Sequence, residues 1–296
     1  MPESKQLLRG YLAAIATLLM WSGFSLVSRM GGKSILTAYD VFALRLIFAT
    51  VILLPFAGSM PKGIWRDKRV WALTTLCSLI YCPLVFSGFK YAPAAHGGIL
   101  LAGMQPLLIS AVVWLLSGSR PNRWRSLGLV LISTGIACAA MPYFTGWSPD
   151  SLFGDLLILL SSICWAFYSV LAARWGYSGW TLTRAIAYSS AVVYLPVYFF
   201  CLPKELAAAP WAIIMTQGVY QGLVATILAM LTYLKAISIL GTERAAAFLA
   251  LVPIVTGILA VPLLNEPLTG WLLSALVFVS LGSFIASRYG ASPMRS

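Results

Sequence analysis

Two tryptophans deep in apolar stretches are the first residues of this sequence whose type and spacing could serve to bind a ligand. Trp21 follows Gly10 by eleven residues, and Trp165 follows Gly154 by eleven residues. At a helical rise of about 1.5 Å per residue, that spacing puts each indole about 16 Å into a hydrocarbon core about 30 Å thick. An indole at this depth either packs between helices or lines a cavity, where its ring could stack on an aromatic group or face a cation.

Two polar residues continue the helix faces that these indoles occupy. Ser25 follows Trp21 by four residues, and Tyr168 follows Trp165 by three. These spacings place two side chains on the same face of a helix. We therefore predict that Trp21, Ser25, Trp165 and Tyr168 contact a bound substrate.

Arg45 is a cation inside an apolar stretch, five residues after Asp40. An ionisable side chain within a membrane span is a candidate functional group, because its charge is costly there. The guanidinium could bind a substrate carboxylate through two parallel hydrogen bonds. Alternatively, it could be tied to helix-end carbonyls or to Asp40.

Four more candidate contacts lie in the apolar stretches, namely Tyr81, His96, Gln105 and Gln221. Gln221 follows Gln217 by about one helical turn, and buried amides of this kind either line a cavity or hydrogen-bond neighbouring helices. His96 is the only histidine. It could titrate at a gate or make a hydrogen bond at the start of a helix.

Prolines and glycines in the same stretches predict bending points. A proline removes a backbone hydrogen bond, and kinks in helices concentrate at such positions. If the helices move against one another, the residues expected to permit this are Pro83, Gly97, Gly98, Pro106 and Pro253.

The composition indicates that all these residues lie in a membrane. The 296 residues are 60% hydrophobic and only 9% charged, unlike an ordinary soluble domain. Clusters of Gly, Pro and charge divide the chain into ten apolar segments, each near the roughly 20 residues that cross a bilayer as a helix. We predict an all-α integral membrane protein with transmembrane helices near residues 8–29, 38–57, 70–89, 93–117, 124–142, 152–173, 180–202, 210–234, 242–264 and 268–287.

The apolar segments form two matching sets of five. The matching pairs are Gly10 and Gly154, Trp21 and Trp165, Arg29 and Arg174, Lys90 and Lys235, and Pro106 and Pro253. Because five is odd, the second set must enter the membrane from the opposite side, as in the inverted repeats of secondary transporters. We predict two inverted five-helix repeats, residues 1–147 and 148–296, around a central cavity.

The net charge of +12 fits membrane orientation better than nucleic-acid binding. With the N-terminus inside, 15 of the 20 Lys and Arg residues fall at the inner ends of the segments, and four fall at the outer ends. Positive residues are enriched on the cytoplasmic side of membrane proteins. We predict a multi-pass protein of the bacterial inner membrane with both termini in the cytoplasm.

Catalytic and metal-binding patterns are missing from the sequence. The five cysteines show no CxxC spacing, and one histidine provides no ligand pair or HExxH motif, so we expect no metal, no cofactor and no catalytic residue. An intramembrane enzyme is the alternative from another class. The carboxylates nearest the segments, at Asp150, Asp155, Glu243 and Glu266, lie near segment ends, which favours a facilitator over a proton or sodium antiporter.

Several segments resemble the drug/metabolite transporter superfamily, in its EamA-type ten-helix branch. They are LLMWSGFSLVSR at 18–29, LRLIFATVILLP at 44–55, and YLKAISILGTERAAAFLALVPIVTGILAVPLLNEPLTGWLLSALVFVSLGSFI at 233–285. Pro253 followed by Glu266 and Pro267 is similar to the family's usual ending of the ninth helix. Arg120 departs from the family, because it stands where the first half usually has glutamate.

This resemblance implies transport of small metabolites by alternating access. Within the superfamily, the many aromatic and Met residues resemble the bacterial exporters of aromatic amino acids. The expected partners are a small-molecule substrate and the lipid bilayer, with no nucleic acid, and the protein is expected to be a monomer or homodimer. Alternative cargoes within the same fold are cationic drugs and phosphorylated metabolites.

Overall fold

The computed structural model describes residues 2–144 and 149–289, and ten helices in these ranges are long and apolar enough to cross a membrane. This confirms the predicted all-helical class. The ten spans are α1 Lys5–Gly32, α2 Ala38–Ser59, α3 Lys68–Tyr91, α4 Ala94–Ser117, α5 Arg123–Pro142, α6 Pro149–Arg174, α7 Gly179–Cys201, α8 Trp211–Leu240, α9 Arg244–Leu264 and α10 Gly270–Arg288.

Local signals explain where several helices begin and end. α2 begins with a capping box, in which the Thr37 hydroxyl accepts from the Asp40 N–H at 3.0 Å and the Asp40 carboxylate accepts from the Thr37 N–H at 2.7 Å. These bonds satisfy N–H groups that have no partner within the helix. α4 ends at Gly118 with φ 68°, and α9 ends at Asn265 with φ 54°. Glycine and asparagine are the residues that most readily take this left-handed conformation.

Besides α2, which ends in a 3₁₀ helix at Leu54–Ser59, four helices depart from regular α geometry. α3, α4 and α8 contain π-helical turns at Thr75–Ile80, Gly98–Gly103 and Gly218–Leu228, and α9 is interrupted between Thr242–Leu249 and Val252–Leu264. π-Helical turns insert an extra residue and often occur at functional sites. Three of these four helices, α3, α4 and α9, carry the residues that are predicted to permit bending.

The interruptions of α4 and α9 have almost the same geometry. Met104 has φ −82° and ψ −12°, and Leu251 has φ −84° and ψ −9°. Pro106 and Pro253 each follow by two residues, within the first turn of the next helical segment, where the missing proline N–H costs no helical hydrogen bond. The two halves therefore repeat this local structure.

Helix packing also repeats between the halves. α1 packs against α8 as α3 packs against α6, while α2 contacts α7 and α5 runs along α10. The α5–α10 contact is close, because a Cβ added to Gly282 would lie 2.5 Å from the Gly128 carbonyl oxygen. The predicted boundary at residues 147 and 148 lies outside the described residues.

The outer surface carries many exposed apolar side chains. Phe200 is 87% exposed, Trp211 72% and Leu115 69%. Such a surface is expected where helices face lipid rather than water.

Candidate functional site

A cavity lies between α1, α2, α3, α6, α7 and α8. It is open to solvent, and the space between its walls, open solvent included, is about 620 Å³. The residues that line it are Trp21, Arg45, Leu46, Ala49, Cys77, Ser78, Trp165, Tyr168, Thr183, Ile186, Ala187, Ala225, Thr226 and Met230. Because α1–α3 come from the first half and α6–α8 from the second, both halves build its wall.

Aromatic side chains surround this cavity. The Trp21 ring lies 5.0 Å from the Tyr233 ring, centroid to centroid, and the Trp165 ring lies 5.3 Å from Tyr81 and 5.2 Å from Tyr168. These separations and the tilted ring planes are favourable for aromatic pairs. The sequence left open whether Trp21 and Trp165 pack between helices or line a cavity. The structure places both indoles in the cavity lining, in contact with these tyrosine rings.

Arg45 is the charged side chain of the cavity. Among the described residues its guanidinium has no hydrogen bond or ion pair, and its contact is with the Phe24 ring, 5.8 Å from the guanidinium carbon to the ring centroid. An arginine stays protonated in proteins and carries five N–H donors. The arrangement therefore leaves a positive donor group available within the cavity.

Asp40 does not pair with Arg45, so the alternative tie between them is not what the structure shows. The Asp40 carboxylate accepts from Thr37, from the Tyr198 hydroxyl and from the Glu205 N–H. These partners lie at the end of the bundle where α2 begins. The Asp40 carboxylate therefore caps α2 and does not form an ion pair with Arg45.

Three predicted contacts lie outside the cavity lining and hydrogen-bond neighbouring helices instead. The Gln105 amide donates to the Ser162 carbonyl at 3.3 Å, the Gln221 amide donates to the Ser28 hydroxyl at 3.0 Å, and His96 Nδ1 lies 2.8 Å from an Asp155 carboxylate oxygen. For the two glutamines the structure favours the interhelical alternative that the sequence left open. His96 makes its hydrogen bond near the start of α4.

Ser25 and Tyr81 are also absent from the lining. Ser25 is 2% exposed and Tyr81 is 7% exposed, and the Tyr81 ring contacts the Trp165 ring, which does line the cavity. Ser25 shares a face with Trp21 only approximately, because four residues advance a helix by slightly more than one turn. Direct contact of these two residues with a substrate stays a prediction.

Three of the predicted bending residues, Gly97, Gly98 and Pro253, lie where α4 contacts α3 and α9. A Cβ added to Gly98 would lie 3.1 Å from the Pro253 Cα, and one added to Gly97 would meet the Phe89 ring. Pro83 follows the π-helical turn of α3 by three residues, and Pro106 follows that of α4. Whether they act in gating stays a prediction.

The sequence did not predict several of the lining residues, among them Ser78, Thr183, Thr226 and Met230. The hydroxyls of Thr183 and Thr226 donate to the Gly179 and Gln221 carbonyls within their own helices. Short hydroxyl residues and methionines are common in membrane helices, so neither type marks a cavity by itself.

Polar contacts close the end of the bundle where α1 ends and α4 begins. Arg29 Nε lies 3.2 Å from Glu266 Oε1, and Arg29 Nη1 donates to the Phe89 and Lys90 carbonyls at 2.8 Å each. Glu266 also accepts from the Ala94 N–H at 2.8 Å. These bonds join α1, α3, α4 and the end of α9. We call this the closed end.

The cavity extends toward the opposite end, which carries the described termini and which we call the open end. Tyr168 lies six residues before the end of α6, Thr183 four residues after the start of α7, and Met230 ten residues before the end of α8. These three helix termini all belong to the open end. The lining therefore runs from mid-depth to that end.

One hydrogen bond at the open end shifts two pKa values. The Tyr177 hydroxyl, before α7, donates to the Asp67 carboxylate, before α3. This bond and a second one from the Arg69 N–H lower the pKa of Asp67. Desolvation, followed by the bond to Asp67, raises the pKa of Tyr177.

The part of the chain that the structure describes has no cluster of side chains suited to bind a metal ion. No group of three His, Cys, Asp or Glu side chains there lies close enough to hold an ion.

The fold and the cavity together define a multi-pass membrane protein with two repeated five-helix halves. The chain belongs to the EamA-like transporter family, whose model matches residues 8–141 and again residues 152–288. The double match confirms the predicted repetition and the family resemblance.

Relatives of similar length support this assignment. An uncharacterized transporter of Archaeoglobus fulgidus is 24% identical over 279 residues, covering 86% of this chain and 89% of the relative. The uncharacterized inner membrane transporter YedA of Escherichia coli K12 is 26% identical over 293 residues, covering 95% of this chain and 94% of YedA. One crystal structure, 19% identical, matches with a TM-score of 0.65 over 95% of this chain and 98% of the other, and so shares the fold.

Proposed function

We propose that this transporter exports amino acids with aromatic or apolar side chains across the bacterial inner membrane. The observation that carries the proposal is the Arg45 guanidinium, which has no hydrogen bond or ion pair among the described residues, in a cavity walled by Trp21, Trp165 and Tyr168. The inner-membrane location is supported by the similarity to YedA and by the apolar surface.

Substrate binding would use both the guanidinium and the aromatic rings of the cavity wall. Arg45 would bind the carboxylate through paired hydrogen bonds, which a planar guanidinium provides and a lysine cannot. The side chain of the substrate would pack against the indoles and Tyr168, where offset or edge-to-face ring contacts add to the apolar area buried.

Movement would follow the alternating access of inverted-repeat transporters. With both termini in the cytoplasm, as the distribution of positive charge favours, the open end faces the cytoplasm and the described conformation admits substrate from inside. Release outside would require the closed end to part. The π-helical turns and interruptions of α3, α4, α8 and α9, with Pro83, Gly97, Gly98, Pro106 and Pro253, supply candidate bending points.

The transporter would work as a facilitator, driven by the substrate gradient. Antiporters usually carry a carboxylate within the bundle, whereas the cavity lining contains none among the described residues. The pair of His96 and Asp155 lies near the starts of α4 and α6, at the closed end.

The alternative cargoes fit this lining less well. A cationic drug would meet the positive charge of Arg45 without a carboxylate to offset it, and a phosphorylated metabolite would meet a single cation. The intramembrane-enzyme alternative lacks a carboxylate or imidazole in the described lining that could act as a base.

Counterflow in proteoliposomes tests the proposal. Vesicles containing purified protein and unlabelled phenylalanine should take up labelled phenylalanine, and leucine should compete better than a cationic dye or a sugar phosphate. A preference for the dye or the phosphate would overturn the cargo. An imposed pH gradient should leave the rate unchanged, and a several-fold acceleration abolished by a protonophore would overturn the facilitator mechanism.

A further inference from the structure

The charge balance of the cavity bears on which part of an amino acid it recognises. Arg45 is the charged residue of the described lining, and the remaining polar groups there are uncharged, such as Ser78, Thr183 and Thr226. The described carboxylates belong to helix ends and loops, where Asp40, Asp155 and Glu266 are engaged by other partners. A bound ligand therefore meets one fixed positive charge and no negative charge.

An amino acid presents two charges to this field. Its carboxylate gains from the guanidinium, but its ammonium group is attached one carbon away and must lie beside the same cation. The repulsion is stronger in a cavity of low dielectric than in water. Rings and hydroxyls can contact an ammonium group, but they do not neutralise it as a carboxylate would.

We propose that the cavity recognises aromatic and apolar monocarboxylates as a class, with the amino group of an amino acid contributing no affinity. This inference rests on the proposed function and extends it to carboxylates without an amine. It also implies that aromatic amines without a carboxylate are rejected.

Displacement of labelled phenylalanine from the purified protein in nanodiscs tests this with three ligands of the same aromatic skeleton. Phenylalanine carries both groups, 3-phenylpropionate lacks the amine, and phenethylamine lacks the carboxylate. We expect 3-phenylpropionate to compete at least as well as phenylalanine. We expect phenethylamine to compete at least about tenfold less well, as the loss of a charge-assisted hydrogen bond predicts.

Variants of Arg45 connect the result to the cavity. Arg45→Gln should weaken both carboxylates about tenfold or more and should leave phenethylamine unchanged or improved, while Arg45→Lys should keep part of the carboxylate affinity. Arg123→Gln removes an exposed arginine outside the lining and should leave all three unchanged. Thermal melting of each variant shows whether it is folded.

The outcomes separate the two proposals. If phenylalanine binds but 3-phenylpropionate does not, the inference is wrong and the proposed function stands. If phenethylamine competes as well as phenylalanine, both the inference and the proposed role of Arg45 in binding the carboxylate are wrong. If labelled 3-phenylpropionate binds and phenylalanine does not, the inference stands and the amino-acid cargo is wrong. If neither phenylalanine nor 3-phenylpropionate binds, both the inference and the amino-acid cargo are wrong.

A different observation concerns the two ends of the molecule. Of the residues that the structure describes, the ion pairs of Arg29 and Lys33 with Glu266 and the pair of His96 with Asp155 all lie at the closed end. The side chains of Arg29 and Glu266 are 14% and 8% exposed, so this pair is shielded from the solvent that weakens surface ion pairs.

The repeat supplies the corresponding positions at the open end. Arg174 matches Arg29, and Arg120 stands in the loop after α4 as Glu266 stands in the loop after α9. Both are exposed and both are positive. If the open end closed as the other end does, two like charges would meet where the closed end has an attractive pair.

We infer that this charge asymmetry makes the described conformation the resting state. The Arg29–Glu266 ion pair, which we call the latch, stabilises the closed end, whereas Arg120 and Arg174 would repel each other if the open end closed. Opening the closed end costs the Arg29–Glu266 pair, whereas closing the open end gains no equivalent pair. The asymmetry thus biases the equilibrium independently of any substrate.

Hydrogen–deuterium exchange on the full-length protein in nanodiscs tests the latch. Glu266→Gln should raise amide exchange several-fold at the closed end, in residues 89–97, and leave α5 and α10 unchanged. Arg120→Glu should slow exchange near residues 118–125 and 174–180, because it creates the missing pair with Arg174, and should speed it at 89–97. A uniform rise in every helix after Glu266→Gln would indicate general unfolding and would contradict the latch.

A double variant isolates the pair from the loss of a charge. Arg120→Glu combined with Arg174→Gln should return exchange at both ends toward the wild-type pattern, since the new pair no longer has both members. Arg120→Gln serves as the matched control with a smaller effect. If Arg120→Glu acts the same with and without Arg174, the inferred latch is wrong.

Discussion

Arg45, Trp21 and Trp165 are amphipathic or charged side chains held halfway through an apolar bundle. Their combination in one wall creates a local environment that neither lipid nor a packed core provides, with a cation, ring faces and solvent-accessible space together. Trp165 also contacts the rings of Tyr81 and Tyr168. Ligand binding would therefore use the N–H donors of Arg45 and the indole rings that line the cavity.

Trp165→Ala should weaken phenylalanine and tryptophan binding by about tenfold, because it removes a ring contact and the apolar area of the indole. Binding of serine should change little. Competition against labelled leucine in proteoliposomes measures both. Trp165→Phe should retain most of the affinity, and Trp114→Ala, at a position 58% exposed toward lipid, is the control. Equal losses for all ligands would indicate a folding role instead.

The bond from Tyr177 to Asp67 predicts a pH-dependent stability difference. A carboxylate whose pKa is lowered on folding adds stability at pH values above its unfolded pKa, and this stability is lost as the pH falls through the folded pKa. Tyr177→Phe should therefore lower the melting temperature slightly at pH 7, and the difference should shrink on acidification below pH ~4. Asp67→Asn should show the same trend, and a difference that grows at acid pH would contradict the assignment.

Helices divide into two kinds in this molecule. α5 and α10 are continuous α-helices packed against each other through Gly128 and Gly282, outside the cavity. α3, α4, α8 and α9 contain π-helical turns or interruptions, with weakened backbone hydrogen bonding inside a membrane. The regular pair is suited to a fixed support, and the irregular helices are suited to bending.

Gly282→Leu should lower the melting temperature by several degrees, because its side chain has no room against the Gly128 backbone and overpacking destabilises. The ratio of phenylalanine to serine transport per folded molecule should stay unchanged, since α10 does not line the cavity. Gly270→Leu provides a control on the same helix, as nothing lies within 4 Å of a Cβ there. A changed ratio would place α10 in the transport path.

The whole molecule joins two repeated halves whose ends differ. The closed end carries the described ion pairs, and the cavity extends to the end that carries the termini. An inverted repeat makes the two conformations of a transporter similar in packing, so small sequence differences between the halves can decide which one is populated.

The orientation in the membrane is testable with two introduced cysteines. Ala207→Cys lies in the loop between α7 and α8, and Ser119→Cys lies in the loop between α4 and α5. In a background with Cys201→Ser, a membrane-impermeant maleimide applied to intact spheroplasts should label residue 207 and spare residue 119, and lysis should expose both. Labelling of residue 119 in intact spheroplasts would mean that the termini lie outside.

Much of the fold was predictable because hydropathy is a local property of the chain. The predicted fourth segment at residues 93–117 differs from α4 by one residue at its start, since Pro93 and the charged loop after Ser117 mark its ends in the sequence. Four of the nine predicted contacts, Trp21, Arg45, Trp165 and Tyr168, line the cavity. Depth within a span and the spacing of the repeat identified them.

The sequence by itself determined the ten spans, the repetition of five and the depth of the central residues, because each depends on composition and distance along the chain. Only the tertiary structure decided that Gln105, Gln221 and His96 hydrogen-bond other helices, that Asp40 caps α2 instead of pairing with Arg45, and which end is closed. Such pairings depend on how each helix is rotated and where it crosses its neighbours, and the contacts between distant segments set both.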